Sequence, residues 1–281
     1  MKCLLPLCCT PLVAAGLAAA APVGAQAPGT PAVSPVQLTY RGGPLLPKVR
    51  VVNLFWGPNW KGSALSAYFN RFFRALFLDG RFMTNLAQYS TDSITIGDGL
   101  FGGADTDPQA PPATIQDADI RGEIQAQIAA GHLRKPDAST VYFVFPPPHT
   151  QVINAAGAVS ARDFTGYHNF VPGSDGFAYA VIPYETTMPG PEYMTLPASH
   201  ELAEAVTDPE PGDTTLGWYD NRNGEVGDIP VSLFAASRIP QSDFFDTLTA
   251  SDGTSYLVQK EWSNQDNMPV AFALSASAPS S

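Results

Sequence analysis

Cysteine is scarce in this chain and confined to one end. All three cysteines, Cys3, Cys8 and Cys9, lie in a segment that we expect to be removed on export. The mature chain would then have no disulfide, no thiolate nucleophile and no cysteine metal ligand. Basic residues are also few, with 15 Lys and Arg against 26 Asp and Glu and a net charge of −11. This balance argues against a nucleic acid or an anionic membrane as partner and favours cations.

The first 27 residues have the pattern of a secretory signal peptide. Lys2 supplies the charged start, residues 4–21 are apolar, and Ala25-Gln26-Ala27 fits a small-x-small cleavage site. No later run is apolar for long enough to span a bilayer. We therefore predict cleavage near Ala27 and secretion to the periplasm or the medium, with a short N-terminal membrane helix as the alternative.

The sequence predicts one domain after the signal peptide. Residues 28–47 are rich in Pro and Gly and predict a flexible N-terminal arm, and residues 48–281 predict a single domain. Apolar and β-branched runs predict the strands, and helical spacing of apolar residues predicts the helices. The predicted strands are 48–56, 91–96, 140–145, 177–182 and 254–262, the helices are 63–78, 81–89, 114–130 and 197–207, and 97–112 is a loop. This order favours an α+β fold, with a mixed twisted sheet packed on helices and a zincin-like metal-site helix beneath one edge.

The most informative stretch runs from His200 to Pro209. On a helix, Glu204, Asp208 and Glu201 fall about 40°, 80° and 100° from His200. One imidazole and three carboxylates therefore share a face, and the Leu, Ala and Val residues between them form an apolar back. No Lys or Arg occurs between Asp163 and Asn221. A bound cation would stabilise these groups; a solvated acidic face is the alternative.

The spacing is similar to that of zinc hydrolases. In those enzymes two ligands at i and i+4 point at the metal, and the residue after the first ligand acts as base. His200 and Glu204 hold the ligand positions and Glu201 the base position. The usual second His is replaced by Glu204, an anion that makes the metal a weaker Lewis acid. Zinc is the expected ion, with calcium, manganese or iron as alternatives.

A third ligand is required, and several residues are candidates. Asp208 lies on the same face at the helix end. Glu225 and Asp228 are preferred in the following acidic segment, where Asp220 also lies, and His168 is the remaining imidazole candidate. The segment 220–228 is otherwise interpreted as an Asx-stabilised turn.

Several motifs together resemble a known family. They are Val52-Asn53-Leu54-Phe55-Trp56-Gly57, Gly166-Tyr167-His168, Ser199-His200-Glu201-Leu202-Ala203-Glu204, Thr207-Asp208-Pro209, Gly217-Trp218-Tyr219-Asp220, Glu225-Val226-Gly227-Asp228 and Val258-Gln259-Lys260-Glu261-Trp262-Ser263-Asn264. Over most of residues 48–270 the chain resembles the phosphate-induced, EXORDIUM-like secreted proteins. Members of that family carry cysteines flanking two of these motifs, and this chain lacks them. The resemblance implies a secreted protein with a metal site more strongly than it implies a reaction.

The leading hypothesis is a secreted, metallopeptidase-like hydrolase. Glu201 would take a proton from metal-bound water as it attacks a carbonyl, and His168 or Tyr167 would donate a hydrogen bond to the oxyanion. The substrate would be a peptide or cell-wall-associated, and an acidic cleft favours basic or neutral peptides. The rival is a non-enzymatic extracellular module with a structural cation that binds a cell-wall or protein partner.

Overall fold

The computed structural model describes residues 36–184, 190–212 and 215–273. The predicted signal peptide and residues 28–35 lie outside this range. The helices of the described part are α1 (Ala64–Asp79), α2 (Arg81–Leu86), α3 (Asp117–Ala129), α4 (Thr195–Thr207) and α5 (Asp228–Ala235). The strands are β1 (Thr39–Tyr40), β2 (Arg50–Trp56), β3 (Leu100–Asp107), β4 (Thr114–Gln116), β5 (Thr140–Phe145), β6 (Gln151–Ile153), β7 (Tyr167–Val171), β8 (Phe177–Val181), β9 (Trp218–Tyr219), β10 (Phe245–Thr249), β11 (Ser255–Gln259), β12 (Glu261–Ser263) and β13 (Met268–Val270).

A mixed five-stranded sheet forms the centre of the fold, in the order β3-β2-β5-β8-β7. The first four strands run parallel, and β7 is an antiparallel edge strand. Helices make up 30% and strands 27% of the structure, so the predicted α+β class is confirmed. The other strands form two-stranded sheets around this centre.

Helices cover both faces of the sheet, as the continuous apolar runs of its inner strands require. Val51 and Phe55 of β2 face the core shared with α1, α2 and α4. Val52 and Leu54 face the opposite way, toward the core beneath α3. Because side chains alternate along a strand, a single run such as β2 supplies both cores.

Helix α4 is held along one face by hydrogen bonds to β11. The hydroxyl of Thr195 donates to the carbonyl of Leu257 at 2.6 Å, and the amide of Gln259 donates to Ser199 Oγ at 2.9 Å. The helix ends at Asp208, whose φ of −155° leaves the helical region. This is the break expected of a residue that precedes a proline. The polar face of α4 is thereby fixed against β7 and β11.

Two predictions about the first half of the domain were wrong. Residues 91–96 form no strand; Ile96 packs on the core from a loop whose turn is held by the hydroxyls of Ser90 and Thr91. The predicted loop 97–112 contains the edge strand β3, which pairs with β2. The strand carries glycines, which give no strand signal in the sequence. Gly102 is required by packing, since a Cβ at this position would clash with the side chain of Arg50 on β2.

The predicted N-terminal arm also needs correction within the described residues. Leu38, Leu45 and Leu46 are buried in the core, and β1 pairs antiparallel with β9. Asn264 fixes this segment from the other end of the chain, accepting from Leu38 N at 3.0 Å and donating to Leu38 O at 2.8 Å. The packed part of the domain therefore begins by residue 36, because apolar residues among the prolines supply core contacts. No helix in the described ranges is long and apolar enough to cross a membrane.

Candidate metal centre

Three parts of the fold bring their polar side chains together beneath the β7 edge of the sheet. Helix α4 supplies His200, Glu201 and Glu204, and β7 supplies His168. The segment that returns the chain from β9 to α5 supplies Glu225 and Asp228. We call these six residues, together with Asp208 and Glu261, the acidic cluster.

The first group that could hold a metal ion is His200, Glu204 and Asp228, whose ligand atoms all lie within 4.8 Å of one another. Nε2 of His200 lies 3.1 Å from Oε1 of Glu204, one helical turn away. The backbone of Gly227 packs directly on the imidazole, since a Cβ at that position would lie 2.5 Å from His200 Nδ1. This close approach fixes the ring and brings Asp228, the next residue, to Glu204.

The second group is His168, Glu204 and Glu225, with ligand atoms within the same distance of one another. Nδ1 of His168 lies 3.4 Å from Oε2 of Glu204, and Nε2 lies 3.5 Å from Oε1 of Glu225. The sequence suggested His168 as a remaining imidazole candidate, and the structure brings it to the helix. Glu204 belongs to both groups and presents a different oxygen to each imidazole.

Glu201 lies between the two imidazoles. Its Oε2 is 3.2 Å from His168 Nδ1 and its Oε1 is 3.9 Å from His200 Nε2. The carboxylate is buried, and the backbone of Gly166 packs against it so closely that a Cβ would lie 2.7 Å from Oε1. The side chain is therefore held in one place beside both groups.

Several carboxylate oxygens of the acidic cluster are buried and lack a hydrogen-bond partner. They are Glu204 Oε1, Asp208 Oδ2, Glu225 Oε1 and Glu261 Oε1. Glu204 Oε1 and Glu225 Oε1 each face an imidazole nitrogen, at 3.1 Å and 3.5 Å, without forming a hydrogen bond. Leaving a polar acceptor buried without a hydrogen bond is costly, and a bound cation is one way to satisfy it. These orphaned oxygens separate the cluster from a solvated acidic face, where water would satisfy every carboxylate.

Burial and the neighbouring carboxylates have opposite effects on the pKa values of the two imidazoles in the cluster. Burial alone would lower the pKa of His168 and of His200, but the surrounding carboxylates, Glu225 for the first and Glu204 for the second, hold both values well above 6.5. Burial raises the pKa of Glu225 and of Glu261 well above its ordinary value. The metal-free cluster is thus rich in protons, which occupy positions that a cation can take.

Two members of this centre, Gln259 and Glu261, were missed by the sequence analysis. Gln259 Nε2 lies 2.8 Å from His200 Nδ1 and donates to the carbonyl of Gly227 at 3.0 Å. It also approaches Glu261 Oε2 at 3.3 Å, and Glu261 is fully buried. A metal on His200 Nε2 requires the proton on Nδ1, so the amide would then present its oxygen to the ring. The available signal was two polar residues at i and i+2, Gln259 at the end of β11 and Glu261 at the start of β12.

The structure does not bring Tyr167 to the cluster. Neighbouring residues of a strand face opposite sides of the sheet, so Tyr167 points away from His168. Its hydroxyl donates to Asp117 at 2.9 Å on the α3 side. The prediction of Tyr167 as an oxyanion donor is therefore wrong. His168 has no free N–H either, since its ring nitrogens face Glu201 and, at 3.0 Å, the carbonyl of Asp208.

Asp208 and Asp220 belong to neither group of three. Asp208 is fully buried, and one of its oxygens accepts from the amide of Gly217 at 3.0 Å, so it fastens the end of α4 to the next segment. Asp220 accepts from the amides of Arg222 and Asn223, both at 2.9 Å, which is an Asx turn. The turn interpretation is confirmed for Asp220, while Glu225 and Asp228, later in the same segment, reach the groups.

Comparison of the chain with family models, curated proteins and solved structures finds no match. The resemblance to EXORDIUM-like proteins therefore stays a prediction from the sequence motifs. What the structure adds is a cluster of buried His, Glu and Asp side chains that could hold a metal ion.

Proposed function

We propose that this protein is a secreted, zinc-dependent hydrolase of the metallopeptidase type. The observation that carries the proposal is the convergence of His200, Glu204 and Asp228, with Glu204 Oε1 buried and without a hydrogen-bond partner. A set of one imidazole and two carboxylates suits zinc, and manganese or calcium are the alternatives. An open zinc position polarises a carbonyl and lowers the pKa of water.

In this proposal Glu201 is the general base. It would accept a proton from the attacking water and pass it to the leaving amine. His168 orients the base through the 3.2 Å contact between Nδ1 and Oε2. Because the pKa of Glu201 is raised, first by burial, this carboxylate holds a proton more readily than an exposed glutamate does.

A cavity near the start of β7 is one candidate place for a substrate side chain. It has a volume of about 210 Å³ and is lined by residues that include Phe164, Thr165 and Tyr184. Thr165 immediately precedes Gly166, the residue that packs on Glu201. The acidity of the cluster favours a basic or neutral peptide.

A non-enzymatic module with a structural cation is the second candidate, and burial favours it. Side-chain exposure is 4% for Glu201 and 5% for Glu204, whereas the most open members measured, His200 and Glu225, reach only 13% and 12%. A structural site needs no access for substrate. This module would bind a cell-wall or protein partner through its surface loops.

Replacing the base separates the two candidates. Glu201→Gln should retain the metal, measured by elemental analysis, and lose peptide-library cleavage by about 10²- to 10⁴-fold. Glu123→Gln on α3, on the far side of the sheet, is the matched control and should change neither. A metal-loaded wild type that cleaves no peptide would favour the module, and a purified protein with no metal would overturn both candidates.

A further inference from the structure

We propose that the centre holds two divalent cations, one in each group of three, with Glu204 as the bridging carboxylate. This inference deepens the proposed function and rests on it. The first ion takes His200, Glu204 and Asp228, and the second takes His168, Glu204 and Glu225. Both sets combine one imidazole with two carboxylates, the chemistry of zinc or manganese.

The geometry of the ligands separates them into two sets. Ligands of one zinc ion, at about 2.0–2.2 Å from the metal, lie at most about 4.4 Å apart. The five side chains do not form one set within 4.8 Å; they form two overlapping sets that share Glu204. A single ion would therefore leave one imidazole and one carboxylate unused.

Glu204 is placed to bridge. Its Oε1 lies 3.1 Å from His200 Nε2, and its Oε2 lies 3.4 Å from Nδ1 of His168. It is 4% exposed, and Oε1 has no hydrogen-bond partner. A buried carboxylate with one oxygen facing each imidazole suits two ions held side by side, the arrangement that clamps attacking and leaving groups in two-metal hydrolases.

The second position has its own unsatisfied acceptor and its own supporting contact. Glu225 Oε1 is buried without a hydrogen-bond partner, and it lies 3.5 Å from His168 Nε2. On the same ring, Nε2 donates to the carbonyl of Asp208 at 3.0 Å, which leaves Nδ1, the nitrogen that faces Glu204 Oε2, to hold the ion. A backbone carbonyl that accepts from one ring nitrogen while the other faces a metal is a common support of a histidine ligand.

The cluster also holds more carboxyl groups than the ligand set of one ion uses. Six acids lie together: Glu201, Glu204, Asp208, Glu225, Asp228 and Glu261. Among the ion pairs of the described residues, those of Glu201, Glu204 and Glu225 are all with His168 or His200. One divalent ion in the first group would reach Glu204 and Asp228, whereas a second ion reaches Glu225 as well. Asp208, which lies outside both groups, accepts a hydrogen bond from the amide of Gly217.

Metal stoichiometry tests the proposal. Calorimetric titration of the metal-free full-length protein with Zn²⁺, checked by elemental analysis after dialysis, should give two ions per chain. Glu225→Gln and His168→Asn should each reduce the count to one, as should Asp228→Asn, whereas Glu204→Gln should weaken both sites. Glu123→Gln on α3, on the far side of the sheet from the acidic cluster, is the matched control and should keep two ions.

The outcomes distinguish this inference from the proposed function. Saturation at one ion that Asp228→Asn removes and Glu225→Gln leaves intact would overturn the second site and keep the hydrolase. Absence of any zinc would overturn both. Titration with Co²⁺ gives an independent readout: two bridged ions should show magnetic coupling that Glu225→Gln abolishes. Circular dichroism of each variant confirms that a lost ion reflects a lost ligand and not an unfolded chain.

Discussion

Asp228→Asn should raise the stability of the metal-free protein and reduce the stability that the protein gains when metal binds. In the metal-free protein, burial first and then Glu204 raise the pKa of Asp228 from 3.8 to about 6. A carboxyl whose folded pKa is raised supplies stability below its unfolded pKa and loses it as the pH rises through the folded value. At pH 7 the charged Asp228 therefore destabilises the metal-free fold.

The magnitude follows from the shift. A rise of about 2.2 pKa units corresponds to at most about 3 kcal/mol at pH 7, and to about 0.5 kcal/mol at pH 4, where the folded carboxyl is protonated. Asparagine removes this penalty. At about 2–4 °C per kcal/mol, the melting temperature of the metal-free variant should exceed that of the wild type by about 6–12 °C at pH 7. At pH 4 the difference should nearly vanish.

Zinc should stabilise the wild type more than it stabilises the Asp228→Asn variant. With free zinc at about 100 times Kd, a bound ion adds about 2.7 kcal/mol to the wild type. The variant lacks a ligand and should gain little. Scanning calorimetry should compare the melting temperatures of the two proteins in three conditions: with chelator at pH 7, with zinc at pH 7, and with chelator at pH 4. Asp175→Asn, at an exposed position, is the control. An equal zinc increment in both proteins, or a metal-free variant less stable than wild type at pH 7, would refute this reasoning.

Three further predictions concern packing. Gly227→Ala places a Cβ against His200, and the overpacking should cost about 1–3 kcal/mol. Zinc binding, measured by calorimetry, should weaken by about 10- to 100-fold. Gly122→Ala, which has open space around it, should leave zinc binding unchanged. Tyr167→Phe should lower the free energy of unfolding by about 1–3 kcal/mol in urea and leave zinc affinity unchanged, since its partner lies on the α3 side; a tenfold loss of affinity would contradict this. Phe145→Ala should cost about 3–5 kcal/mol, because the ring is fully buried; a loss below about 1 kcal/mol would show that the core collapses around it.

The sequence located the inner strands and the metal-site helix because their patterns are local. Residues 140–145 form β5 with the predicted bounds, since a continuous apolar run between turn residues leaves few alternatives. The helical wheel placed His200 and Glu204 together for the same reason. It could not select the third ligand, because Asp228 reaches the helix only through the fold of the segment after β9.

What the sequence left open depends on tertiary contacts. Edge strand β3 is held by backbone pairing with β2 and carries glycines, so its side chains gave no strand signal. Gln259 supports His200 from 59 residues away, and Asn264 reaches Leu38 across 226. Sequence periodicity does not detect such distant partners. The sequence analysis also gave Tyr167 and His168 similar roles, although neighbouring residues of a strand face opposite sides of the sheet.

The hydrogen bonds between Asn264 and Leu38, and the pairing of β1 with β9, affect when the domain can complete its folding. Partners separated by 180 and 226 positions can meet only after almost the whole chain has been made. Such distant pairing slows folding. The contacts that join the first and last described parts of the domain would therefore form late in synthesis or after it. The segment after β9, which carries Glu225, would be placed by the same late step.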